Sequence, residues 1–124
     1  MTRESMVNRF RERILAAGAA RTPLRLRGGG SKDWYGQTPQ GEVLETSAYQ
    51  GIVAYEPTEL VVTARCGTPL IELERELALR GQMLAFEPPH FGPGATVGGM
   101  VAAGLSGPRR QSAGAARDFV LGAV

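Results

Sequence analysis

Three adjacent glycines constrain this chain more than any other feature. Residues 25–36 read R-L-R-G-G-G-S-K-D-W-Y-G, so an alternating, strand-like segment runs straight into Gly28, Gly29 and Gly30, then Ser31 and Lys32. Glycines in a row weaken a regular element. A fold keeps them where a turn needs positive φ or where something must come close to bare backbone. From this stretch alone two readings stand. One is a plain turn between strands. The other is a nest of backbone N–H groups that holds an anion, with Lys32 adding a point charge.

The surrounding pattern mixes helices and strands. Residues 3–17 set Met6, Val7, Phe10, Ile14 and Leu15 at helical spacing, which predicts an amphipathic helix ended by Gly18. Pro23 introduces the strand L-R-L-R, and residues 43–46 and 51–55 are further short strand candidates. Leu60–Arg65, rich in β-branched residues, is the strongest strand signal. Thr68-Pro69 has the form of an N-cap followed by proline at the first helical position. Leu70, Leu73 and Leu77 then share one helix face, with glutamates near the start, Arg80 in the last turn and Gly81 after it, a charge order that suits the helix dipole. Residues 86–94, F-E-P-P-H-F-G-P-G, must form a loop. The order is an α+β or α/β pattern.

Composition narrows the function classes. The 124 residues suffice for one ordinary domain. The net charge is only +2, with basic residues scattered among carboxylates, and no basic stripe with interleaved aromatics points to nucleic acid. A single cysteine, Cys66, permits neither an intrachain disulfide nor a cysteine cluster, and a single histidine, His90, rules out a histidine-rich zinc site, so no metal is expected. No apolar run reaches membrane-spanning length, so no transmembrane segment is expected. The expected location is cytoplasmic, or peripheral at the inner membrane through a complex.

A second glycine segment follows the loop. In A-T-V-G-G-M-V-A-A-G-L-S-G, Thr96 is a good N-cap, and Gly98 and Gly99 would expose the first N–H groups of a helix, an end that attracts phosphate. Close packing of helices by small residues accounts for the same pattern. Neither glycine segment fits a standard nucleotide motif. A Walker A loop needs glycine directly before the lysine, where this chain has Ser31. A dinucleotide fingerprint starting at Gly92 and Gly94 meets Val97 where its third glycine belongs. Two glycine-rich segments far apart in sequence suggest a bulky anionic cofactor clamped between two halves of a fold.

The stretches R-G-G-G-S-K-D-W-Y-G, P-T-E-L-V-V-T-A-R-C-G-T-P-L, E-P-P-H-F-G, A-T-V-G-G-M-V-A-A-G-L-S-G-P-R-R and R-D-F-V-L-G together resemble the FAD-binding E subunits of bacterial glycolate oxidases, within the vanillyl-alcohol-oxidase-type flavoproteins. The resemblance runs along nearly the whole chain. It implies an α+β fold of the PCMH type, with FAD between two subdomains. Residues 1–85 would be the first subdomain and residues 86–124 the start of the second, so that 1–124 is a partial FAD-binding domain and the chain an N-terminal fragment. By the same resemblance Gly28, Gly29, Gly30, Ser31 and Lys32 form the pyrophosphate loop. Thr96, Val97, Gly98 and Gly99 form a second clamp, with Gly104, Ser106 and Gly107 beside the flavin or its ribityl chain. The FAD would be non-covalent, because relatives that tether it carry histidine where this loop has Ser31. Related enzymes often have asparagine at the position of Gly104, so one side-chain contact is lost.

The resemblance further implies oxidation of glycolate, a small 2-hydroxy acid, to glyoxylate. Electrons would pass through the flavin to a complex with a second FAD-linked subunit and an iron–sulfur subunit. Nothing in these residues supplies a catalytic base, so no catalytic residue is assigned. The alternative is a truncated, non-catalytic assembly or binding module that does not hold FAD by itself, in which the glycine segments only pack. Among single residues, His90 sits in a stiff loop and is not expected to be catalytic. Cys66 is expected to be a small buried hydrophobe, and Trp34 and Tyr35 to pack. Arg109 and Arg110 would pair with phosphate or a partner, or lie in solvent. Arg117 and Asp118 would open a salt-bridged strand through Phe119, Val120 and Leu121.

Overall fold

The structure, a computed structural model, describes residues 2–124. Helix α1 (Arg3–Ala20) starts at Thr2, whose Oγ1 accepts the Ser5 amide at 3.1 Å, and ends at Arg21 in the left-handed region with φ 51°. It therefore runs through Gly18 instead of stopping there. One helical glycine costs only about 1 kcal/mol relative to alanine, and the alanines on either side are strong helix formers. No residue of α1 is fully buried, and Ile14 and Leu15 are exposed. The helix is held by Phe10 edge-on to Tyr49, by Arg3 donating to the Tyr49 hydroxyl, and by Arg13 donating to the Val43 carbonyl.

Strand β1 (Leu24–Arg27) pairs with β2 (Glu42–Glu45) in parallel, from Leu24 opposite Glu42 to Arg27 opposite Glu45. This pairing disposes of the plain turn. Parallel neighbours cannot be joined by a tight hairpin, so residues 28–41 must leave the sheet and return. Strands β3 (Ile52–Glu56) and β4 (Val61–Ala64) form a separate antiparallel pair, joined by a 3₁₀ turn at Pro57–Glu59. Leu60 is left-handed at φ 59°, so β4 begins one residue later than its β-branched run suggests.

Helix α2 (Leu70–Ala78) buries Leu70, Leu73 and Leu77, as their spacing predicts. Its start differs from expectation. Thr68 does not cap the helix; it is 1% exposed, and its hydroxyl accepts the Gly51 amide at 2.9 Å and donates to the Gly51 carbonyl. The cap position falls to Pro69, and Arg80 lies beyond the helix end, leaving Arg75 as the basic residue of the last turn. After the 86–94 loop come three short helices: α3 (Val97–Ala103), α4 (Arg110–Ala113) and α5 (Ala116–Phe119). The expected strand from Arg117 onward is instead this last helical turn. Asp118 accepts the Ala115 amide at 2.9 Å and so caps α5, and no ion pair joins it to Arg117 among the described residues.

The main core cluster is Leu70, Phe86, Ala95, Met100 and Ala116, with Leu84 and Val97 packed against it. It draws Leu70 from α2 and the rest from beyond residue 85, so α2 and the segment 86–116 share one interior. Phe86 also meets Phe119 with ring centroids 5.1 Å apart, which gives α5 an apolar anchor.

Candidate functional site

The two glycine segments meet. A Cβ built on Gly29 would lie 1.5 Å from the carbonyl oxygen of Gly94, and one on Gly28 would lie 2.6 Å from Thr96 Oγ1. Both are closer than a side chain tolerates, so the absence of side chains at Gly28 and Gly29 is what lets this loop rest on the Thr96 side chain and the Gly94 backbone. Gly94 itself has φ +100°, a conformation that favours glycine. Aromatic contacts reinforce the junction. Lys32 Nζ lies over the Phe91 ring at 5.7 Å, and Trp34 packs edge-on against Phe91 at 5.2 Å.

Above this junction the backbone of the first loop is open. Among the described residues, the amides of Gly28, Gly29, Gly30, Ser31 and Lys32 have no acceptor, whereas the carbonyls of Gly30 and Lys32 accept from Asp33 and Tyr35. Gly30 is left-handed at φ +70°. Beneath it lies the guanidinium of Arg27, 2.1 Å from where a Gly30 Cβ would be. Arg27 pairs with Asp33 at 3.1 Å and Glu45 at 3.3 Å, and Arg25 reaches Asp33 at 3.4 Å. Hydrogen bonds from Arg27, and its charge with that of Arg25, hold the Asp33 carboxyl below the usual carboxylate range; Asp33 and Glu45 raise Arg27 in return. Asp33 thus remains ionised, with its charge balanced by the two arginines.

The second segment is built differently. Thr96 caps α3 as expected, with Oγ1 accepting the Gly99 amide at 3.1 Å. The remaining donors there are taken as well. Val97 N–H donates to the Thr68 carbonyl at 2.9 Å, Gly98 N–H to the Cys66 carbonyl at 2.8 Å, and Met100 N–H to the Thr96 carbonyl at 2.9 Å. The expectation of exposed N–H groups at this helix start therefore fails, because segment 95–98 lies alongside residues 66–70 and spends its donors there. Gly98 is small for a packing reason: a Cβ would come within 2.8 Å of the Cys66 Cβ. Cys66 is half-buried against it.

The third group is spread out. Gly104 ends α3 in the left-handed region at φ 64° and is exposed. It lines an open groove of about 470 Å³ with Val101, Arg110, Ala116, Arg117 and Val120. Ser106 Oγ accepts the Ala116 amide, and Gly107 packs on Glu87, where a Cβ would be 2.8 Å from the Glu87 Cβ. Arg109 pairs with Glu87, whose carboxylate also accepts the Arg109 amide at 2.9 Å. His90 pairs with Glu74 on α2.

Three participants escape sequence inspection. Gly94 is legible only as part of a loop, Phe91 only as an apolar residue, and Glu87 carries no local sign of its positive φ of 49°. Each matters through a partner distant in sequence.

A family profile described as an FAD binding domain matches residues 7–124. The chain belongs to this FAD-binding family. The cofactor of the family is FAD, and the open amides of Gly28–Lys32 beside Lys32 are donors of the kind a pyrophosphate requires. The chain is also 52% identical over 111 residues to the glycolate oxidase subunit GlcE of Escherichia coli strain K12, an alignment covering 90% of this chain and 32% of that protein. It thus spans about a third of the length of that relative. No solved structure matches. No helix among the described residues is long and apolar enough to cross a membrane.

Proposed function

We propose that this chain carries the pyrophosphate-binding part of an FAD-dependent 2-hydroxy-acid oxidoreductase subunit, with glycolate as substrate and glyoxylate as product. The observation that carries the reading is the run of unpartnered amides from Gly28 to Lys32. Charge-assisted N–H bonds to an anion are among the stronger hydrogen bonds, and a loop pinned against Gly94 and Thr96 presents them without further ordering. Ser31 offers a hydroxyl rather than an imidazole, in keeping with non-covalent FAD. Thr96, Val97, Gly98 and Gly99 act as the supporting wall, since their amides are committed internally. Gly104, with Ser106 and Gly107 behind it, borders the groove proposed for the flavin side. Residues 1–85 would form the first subdomain of a PCMH-type fold and 86–124 the opening of the second.

Bound FAD would supply the two-electron acceptor. On this reading the residues named here bind and orient, and no catalytic base is assigned. On the family resemblance, the chain would work within a complex containing a second flavin subunit and an iron–sulfur subunit.

A second reading is favoured by the packing at Gly28, Gly29 and Gly98, which explains those three glycines without any ligand. In that case the chain is a structural module. Amide-resolved NMR separates the two. Titration with FAD should shift the amides of Gly28–Lys32 and leave Val97, Gly98 and Gly99 nearly unmoved. Unmoved amides at 28–32 at saturating FAD would leave only the packing role.

A further inference from the structure

The segment that braces the first glycine loop is itself lightly held. Pro88, Pro89 and Pro93 have no N–H to donate, and among the described residues no backbone hydrogen bond joins residues 88–94 to the rest of the chain. The segment is fixed at its two ends, where the Glu87 amide donates to the Leu84 carbonyl at 3.0 Å and the Ala95 carbonyl accepts the Leu70 amide at 2.8 Å. Between these ends its hydrogen bond to the body, among the described residues, is the one between His90 Nε2 and Glu74 Oε1 on α2. Both side chains are about a third exposed. The neighbouring residue, Phe91, lies under Lys32 Nζ and against the Trp34 ring, and Gly94 meets Gly29 backbone to backbone. A titratable tether therefore holds the segment through which Phe91 and Gly94 support the open amides.

Histidine is the side chain whose charge ordinarily changes between pH 5 and 8, and this chain has one. An imidazolium gives the Glu74 carboxylate a charge-assisted bond, which is stronger than the bond from a neutral ring. The other charged groups on the packed elements are Glu72, Arg75 and Glu76 beside Glu74 on α2, Glu87 at the start of the segment, engaged by Arg109, and Lys32 over Phe91. Their carboxylate, guanidinium and ammonium types ordinarily titrate outside that range. Proline limits the slack on either side of His90, so a firmer bond there narrows the positions open to Phe91 and Gly94. We propose that His90 is a positioning residue whose protonation tightens the phosphate loop, so that FAD is held more firmly on the acid side of the His90 midpoint than on the alkaline side. The proposal rests on the pyrophosphate reading of Gly28–Lys32 and adds a control to that site.

One histidine and one tryptophan give the full chain a unique imidazole and a unique indole N–H signal in NMR. FAD is the probe, because its pyrophosphate is a diester with no proton to exchange over the histidine range. In the ligand-free chain the Trp34 indole N–H and the Gly28–Lys32 amides should shift with the same midpoint as the His90 ring. FAD should bind about two- to fivefold more tightly at about pH 6 than at about pH 8, either side of the usual histidine value, a difference of the size an exposed ion pair supplies. His90→Gln keeps a neutral hydrogen bond to Glu74, and should fold normally, lose the step in the loop signals and bind FAD equally at both pH values. Glu74→Gln separates the tether from a direct pull of the imidazolium on phosphate, and should also bind FAD equally at both. Equal wild-type affinity at the two pH values, or a pH-dependence that survives either substitution, overturns the proposal and leaves the phosphate loop standing. Amides of Gly28–Lys32 silent to FAD at both pH values overturn the phosphate reading, and this proposal with it.

Discussion

Gly29 and Gly94 touch backbone to backbone. The space a side chain would need at Gly29 is occupied by the Gly94 carbonyl, 1.5 Å from the position of the missing Cβ. Two loops more than sixty residues apart thus share one van der Waals surface, and the amide run of the first is held open by the second.

It follows that Gly29 variants act on stability before they act on any ligand. Gly29→Ala should destabilise the ligand-free chain by about 1–3 kcal/mol, the usual cost of forcing atoms into an occupied site, and Gly29→Val by more. Urea denaturation without cofactor measures this. Wild-type stability in the alanine variant would show that the loops do not meet as described.

Lys32→Ala offers a cleaner probe of anion binding, since among the described residues Lys32 sits over the Phe91 ring and makes no ion pair. Folding stability should stay within about 0.5 kcal/mol, as for surface changes generally, while affinity for pyrophosphate falls. Isothermal titration of wild type and variant decides it, and equal affinities would remove Lys32 from the site.

Asp33 makes the loop acid-sensitive. Its carboxyl titrates lower folded, beside Arg27 and Arg25, than unfolded, where a value of about 3.9 is ordinary. A depressed carboxylate contributes stability that is fully present above the unfolded pKa and lost as pH falls through the folded one. Carboxyl ¹³C titration should place the Asp33 midpoint below the other exposed carboxylates. In Asp33→Asn the pH-dependence of the loop amide shifts should flatten below pH 4. An unshifted midpoint would mean that the arginine pairs do not persist in solution.

Thr68→Val keeps the shape of the buried side chain and removes the hydroxyl that serves both the amide and the carbonyl of Gly51. The Gly51 carbonyl keeps the Arg65 amide at 2.9 Å, but the Gly51 amide loses its acceptor, which should cost about 1–3 kcal/mol and speed hydrogen exchange there. Were Thr68 a helix cap instead, the exchange change would appear in the first turn of α2.

Phe86→Ala should be the most damaging of these changes, at about 3–5 kcal/mol. Phe86 is 2% exposed, joins α2 to α3 through the shared cluster and anchors Phe119. A loss near that size consumes much of a small domain's total stability, so thermal melting should show a broad, early transition.

What the sequence by itself determined is local. The alternation of L-R-L-R, the leucines at 70, 73 and 77, the cap at Thr96 and the loop through F-E-P-P-H-F-G each follow from steric and hydrogen-bonding preferences within one or two turns of chain. The family likeness was legible for the same reason, being carried by short contiguous motifs. Tertiary structure decided the rest. Parallel pairing of β1 with β2 turned the glycine run from a turn into an excursion. The Thr68 hydroxyl went to Gly51 rather than to its own helix. The amides of Val97 and Gly98 were spent on Thr68 and Cys66, while those of Gly28–Lys32 stayed open. The same residue type, glycine, therefore serves packing at 29 and 98 and is left with a free donor at 30. No local pattern distinguishes these outcomes, because each depends on which atom of a distant segment arrives within hydrogen-bonding or van der Waals distance.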